Sequence, residues 1–127
     1  MMRLDTHVFY WFFYEDEKLP VTLKEQIENE EDVYVSIVTF WELAIKSSLG
    51  KLKLPASISS LMNDCEECNF RILPIRGVHL EKLSGLPWIH RDPFDRLLIC
   101  QAQAEGMTFI SADENIRKYE VNVMWGK

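Results

Sequence analysis

Four carboxylates stand where an α/β chain would turn from strand to helix: Asp5 in LDTH, Glu42 in TFWEL, Asp95 in DPFDR and Asp113 in SADEN. Each has an ordinary structural use. Acids at helix N-termini meet unpaired N–H groups and the positive end of the helix dipole, worth about 0.3 to 1 kcal/mol each. Asp5 can cap a first helix, and Thr39 with Glu42, or Ser111 with Glu114, has the spacing of a capping box. Asp92 followed by Pro93 has the pattern of an N-cap with proline at the first helical position, which puts Asp95 third. Capping accounts for each acid singly but not for four brought together. Gathered at one place they repel, which raises pKa values and costs stability unless a cation sits among them.

An all-oxygen set with no paired histidines or cysteines suits a hard ion, Mg²⁺ with Mn²⁺ able to substitute, which keeps several waters and bridges to phosphates. The chemistry this predicts is phosphodiester hydrolysis with a metal-activated water as the nucleophile. Cations lie close in sequence: Lys46 one helical turn after Glu42, Lys51 and Lys53 beyond it, and Arg91 and Arg96 around DPFDR. Lys46, Lys51, Arg91 and Arg96 are the candidate contacts to a nucleic-acid backbone, with a helical Glu42–Lys46 pair as the other use of that lysine.

The elements that must position these residues follow from periodicity and punctuation. Strands are expected at Met2–Asp5, Val33–Val35, Phe70–Ile75, Met107–Ile110 and Val121–Trp125. Helices are expected at Thr6–Tyr14, Val21–Asn29, Ile37–Leu49 with Gly50 as its left-handed cap, Ser57–Asn69, Val78–Leu86, Pro93–Glu105 ended by Gly106, and Glu114–Tyr119. Strands separated by helices pair in parallel through right-handed crossovers. The predicted fold is a three-layer α/β/α sandwich with a central parallel sheet of about five strands, formed by one domain over residues 1–127. In such sheets ligands bind beyond the carboxyl ends of the strands, where the next helices begin.

Composition sets limits without deciding the function. The 127 residues are 47% hydrophobic, enough for one core, and carry 14 basic against 20 acidic side chains, a net charge of −6. Such a balance speaks against nucleic-acid binding, but the objection weakens if four acids are committed to metal. The apolar run Val8–Tyr14 is far short of the ~20 residues a membrane span needs, and the N-terminus lacks the pattern of a secretory signal. A cytoplasmic location and no membrane partner are therefore expected, with three reduced cysteines.

LDTH, SIVTFWELAIKSSLGKLKLP, HRDPFDRLLICQAQAEGMTFISADENI and the final VMW together resemble the PIN-domain ribonucleases, in particular the VapC-type toxins. The resemblance spans essentially the whole chain. It implies an α/β/α sandwich and Mg²⁺- or Mn²⁺-dependent endonucleolytic cleavage of RNA. It also implies a homodimer, and inhibition by a cognate antitoxin whose C-terminal segment covers the active site. By position, Asp5, Glu42, Asp95 and Asp113 match the four metal-binding acids, and Thr6 and Ser111 match hydroxyls that orient water. Cys100 departs from the alanine-rich course of the third-acid helix and is tolerable in a core position. The alternative is an inactive PIN-like module for dimerisation or partner binding. A receiver domain is disfavoured because LDTH offers one acid where that fold wants two.

Other signals have bland readings. Cys65 and Cys68 form CEEC, but no second pair completes a zinc site. His7, His79 and His90 are far apart in sequence, and His90, nearest the acids, is assigned to the surface or to a place behind the ligands. The rings from Phe9 to Tyr14 and Trp41 are expected in the core, with any surplus on the first helix available for a dimer or antitoxin face.

Overall fold

In the computed structural model, which describes residues 1–125, five strands form one all-parallel sheet in the order β3-β2-β1-β4-β5. They are β1 (Met2–Leu4), β2 (Val33–Ser36), β3 (Arg71–Leu73), β4 (Thr108–Ile110) and β5 (Val123–Met124). Between them run α1 (Thr6–Phe13), α2 (Val21–Asn29), α3 (Ile37–Ser48), α4 (Ile58–Glu67), α5 (Gly77–Ser84) and α6 (Pro93–Glu105), with a 3-10 turn at Glu114–Lys118. This is the predicted α/β sandwich. The outer strands β3 and β5 are shorter than their hydrophobic runs suggested. No helix among the described residues is long and apolar enough to cross a membrane.

Alternation along each strand supplies both faces of the sheet. Met2, Leu4, Val33, Val35 and Ile110 join Val8, Phe9, Leu23, Ile27, Phe40, Leu43 and Leu61 in one core. Phe109 turns the other way and joins Val38, Leu97, Leu98, Ile99, Ile116 and Tyr119 in a second. Arg3, between Met2 and Leu4, also points to this second side and is fully buried. Its guanidinium donates to Gln101 Oε1 at 2.8 Å and to the Leu98 carbonyl, and lies 4.7 Å from the centre of the Phe109 ring. Burial lowers its pKa to about 9, against the pull of Asp5. Ser36 donates to the same Gln101 oxygen at 2.5 Å, so one polar knot ties β1 and β2 to α6.

Register brings the site to one level. Leu4 pairs with Val35 on one side and with Ile110 on the other, so Asp5, Ser36 and Ser111 leave the sheet together. Asp5 caps α1, and Asp92 caps α6 with Pro93 behind it, as expected. Gly106 ends α6 at φ +66°, and Gly50 follows α3 at φ +71°, both in the region that favours glycine. The expected Thr39–Glu42 capping box does not form. β2 ends at Ser36, whose hydroxyl accepts the Val38 N–H at 3.0 Å, and this puts the N-cap of the helix three residues before Thr39. Glu42 therefore lies in the second turn of α3.

Trp41 is a second correction. It was expected in the core, but Phe40 and Leu43 take the inward face of α3 and leave Trp41, Ile45 and Leu49 on an outer stripe, with Trp41 49% exposed. Its ring meets Phe94 edge-on at 4.8 Å. On α1, Phe9 is in the core, while Tyr10 to Phe13 pack half-buried at its edge.

Candidate metal centre

Glu42 is almost fully buried, and both of its carboxylate oxygens are held. Thr6 donates to Oε1 at 2.7 Å, and Lys46, one turn on, donates to Oε2 at 2.6 Å. The helical Glu42–Lys46 pair is thus present, and Lys46 places its charge against the acids. Burial alone would lower the lysine pKa, but Glu42, followed by Asp92 and Asp95, carries it upward.

Asp5 serves twice. As the cap of α1 its Oδ1 accepts the His7 and Val8 N–H groups at 2.7 and 3.1 Å, while Oδ2 accepts from Ser111 Oγ at 2.5 Å. Burial raises its pKa, and these donors, Ser111 foremost, oppose the rise. Ser111 Oγ also accepts the Asp113 N–H at 3.0 Å, and Asp113 Oδ1 caps the 3-10 turn through Asn115. Thr6 and Ser111, matched above to hydroxyl positions, therefore each grip one acid.

Asp95 carries the strain of the cluster. Burial, then the charges of Asp92, Asp5 and Glu42, push its carboxyl up to about 7, while His90 pulls the other way. Asp95 Oδ2 lies 3.1 Å from His90 Nε2, and the same nitrogen lies 2.8 Å from Asp113 Oδ2. These three groups could hold a metal ion between them, since their candidate ligand atoms all fall within 4.8 Å of one another. Repulsion relieved only in part, among acids whose donors are oxygen, is the condition that a divalent cation would satisfy. The donor set therefore fits Mg²⁺ or Mn²⁺ better than a soft metal.

The basic candidates divide. Lys51 and Arg91 are exposed near the acids in sequence. Arg96 is not available to a phosphate chain, which corrects the sequence reading. It is 3% exposed, donates to the Leu86, Pro87 and His90 carbonyls, and stacks 3.7 Å from the Trp88 ring centre. His90, expected at the surface or behind the ligands, sets its Nε2 within hydrogen-bond reach of two of the acids, Asp95 and Asp113. The sequence showed only that it precedes DPFDR. Cys65 is buried and its thiol is pushed up to about 12, chiefly by burial, which leaves it little thiolate character.

The chain is thus an all-parallel α/β sandwich with a cluster of acids beyond the carboxyl edge of its strands. The PIN domain family model matches residues 2–122, and the chain belongs to that family. It is similar to ribonuclease VapC22 of Mycobacterium tuberculosis, with 26% identity over 117 residues, 91% of this chain and 89% of the relative. Among solved structures it resembles a chain of VapBC2 from Rickettsia felis bound to a promoter DNA fragment, with TM-score 0.69, 14% identity, and 97% and 96% of the two chains covered. It also resembles a chain of FitAcB from Neisseria gonorrhoeae, with TM-score 0.67, 22% identity, and 97% and 96% covered. At these identities the structural likeness is one of fold.

Proposed function

We propose that the chain is a Mg²⁺- or Mn²⁺-dependent endoribonuclease and the toxin of a toxin–antitoxin pair. The observation that carries this reading is the convergence of Asp5, Glu42, Asp95 and Asp113, with the Asp95 pKa raised by burial and then by the charges of its neighbours. Asp5, Glu42, Asp95 and Asp113 would hold the ion, and Thr6 and Ser111 would fix the angle at which two of them present it. A divalent ion bound there supplies charge to a phosphodiester and lowers the pKa of water. In the reaction, water adds to phosphorus and one bridging P–O bond breaks, leaving one phosphomonoester and one hydroxyl end. Lys51 and Arg91, exposed near the acids in sequence, serve the RNA backbone.

The similar proteins support the partners as well as the reaction. The relative named above is a ribonuclease, and a further similar structure, from Klebsiella pneumoniae, is a toxin–antitoxin complex. A protein antitoxin, a homodimer and a cytoplasmic location complete the reading.

The test is single-turnover cleavage of mixed RNA with Mg²⁺ or Mn²⁺ against a chelator control. Cleavage is expected with metal and is expected to be lost in both Asp95→Asn and Asp113→Asn. No cleavage, together with no rise in Tm on adding Mn²⁺, would replace this reading with an inactive PIN-like binding module.

A further inference from the structure

His90 reaches the centre from a loop that is held on all sides. Its backbone N–H and that of Ile89 donate to Tyr119 Oη at 2.7 and 3.1 Å, and Tyr119 Oη donates to the Pro87 carbonyl at 2.8 Å. Arg96 gathers the carbonyls of Leu86, Pro87 and His90 from the other side. The imidazole itself is 14% exposed. A surface histidine would need no such framework.

The tautomer follows from one more contact. Asp92 donates its backbone N–H to His90 Nδ1 at 3.2 Å, so Nδ1 is an acceptor and the proton of the neutral ring is on Nε2. Nε2–H then points at Asp113 Oδ2 and Asp95 Oδ2, 2.8 and 3.1 Å away. A ring nitrogen that bears its proton has no lone pair for a metal. Nearness to two acids thus does not make His90 a third ligand.

We infer that His90 is a positioning residue for the metal centre. Its Nε2–H is a clamp shared by Asp95 and Asp113, holding both carboxylates toward one divalent ion that the histidine does not itself bind. Without the clamp the two acids repel, and Asp113, 32% exposed at the N-cap of a short 3-10 turn and otherwise held only through Oδ1, is the one whose Oδ2 is left to solvent. The inference rests on the reading of the four acids as a metal site.

The experiment uses the full chain, with Mn²⁺ as the probe and binding read by EPR and calorimetry. Glutamine can place an amide N–H near the position of Nε2–H, so His90→Gln is expected to keep Mn²⁺ affinity near that of the wild type. His90→Ala is expected to lose about 10-fold, the lower range for groups that orient metal ligands. The Mn²⁺ pulsed-EPR spectrum of the wild type is expected to show no imidazole nitrogen coupling. ¹⁵N spectra of the metal-free wild type, which need no variant to fold, are expected to report the Nε2–H tautomer. An Nδ1–H tautomer, a nitrogen coupling, or unaltered or tighter Mn²⁺ binding by His90→Ala would each overturn the clamp while leaving the metal reading intact. A wild type that binds no Mn²⁺ would overturn both.

Discussion

Ser111 donates its hydroxyl hydrogen to Asp5 Oδ2 at 2.5 Å, joining residues 106 positions apart in the chain. Ser111 Oγ also accepts the Asp113 N–H, so Ser111 links the first acid of the cluster to the last. Ser111→Ala leaves a buried carboxylate oxygen short of a donor. We expect a loss of about 1 to 3 kcal/mol in chemical denaturation, the range for a buried acceptor left unpaired. An unaltered midpoint would show that the hydroxyl is not bonded in solution.

Asp92 and Asp95 are three residues apart and are expected to respond in opposite ways. Asp92 accepts the Phe94 and Asp95 N–H groups as the cap of α6, so Asp92→Ala should cost about 1 kcal/mol and leave Mn²⁺ binding in place. Asp95→Asn should abolish metal binding and yet stabilise the metal-free protein at neutral pH.

The pH dependence of that gain has a definite sign. The folded state raises the Asp95 carboxyl to about 7, so between its unfolded value and 7 the native protein holds a proton that the unfolded chain has released. Stability contributed by this group therefore falls as pH rises through that window and stays low above it. Asp95→Asn lacks the decline. In chelator, its advantage over the wild type should be negligible near pH 4 and reach at least about 1 kcal/mol above pH 7. An advantage that grew toward low pH would refute the assignment.

The edge of the sheet was legible in the sequence because its signals are local. Asp92-Pro93, Gly106 and the strand–helix alternation are read within a few residues, and they were enough to bring Asp5, Glu42, Asp95 and Asp113 to one side. What stayed hidden depends on distant neighbours. Arg96 shows a charge, but not that Leu86, Pro87 and His90 turn their carbonyls toward it. Trp41 shows an apolar ring, but not that Phe40 and Leu43 have already filled the inward face of its helix. His90 is visible beside the motif, whereas its place between two acids depends on Tyr119, 29 residues on.

Arg96 yields a prediction that separates framework from RNA contact. Lysine cannot reproduce the fork that meets three carbonyls and the Trp88 ring, so Arg96→Lys should destabilise by about 1.5 to 3 kcal/mol. Trp88, 79% exposed and stacked on this guanidinium, should report the change in its fluorescence. Retained stability would return Arg96 to the list of RNA contacts.

Lys51→Gln and Arg91→Gln should behave differently. Each is expected to leave unfolding unchanged and to reduce the salt slope of single-stranded RNA binding by about 0.7. Binding titrations between 50 and 200 mM salt check this, and a slope insensitive to both would move the RNA path away from that side of the cluster.

The placement of β1 governs when the acids can act. β1, which precedes the other four strands in the chain, sits mid-sheet, and one of its two neighbours is β4, which arrives only with residues 108–110. Pairings of such long range form late, and on a chain growing from the ribosome this one must wait for the sequence itself. Asp5 and Glu42 exist early, but as two acids on an incomplete sheet. The cluster closes only when Ser111 and Asp113 have emerged, so whatever chemistry the four acids support together is withheld from the growing chain until then.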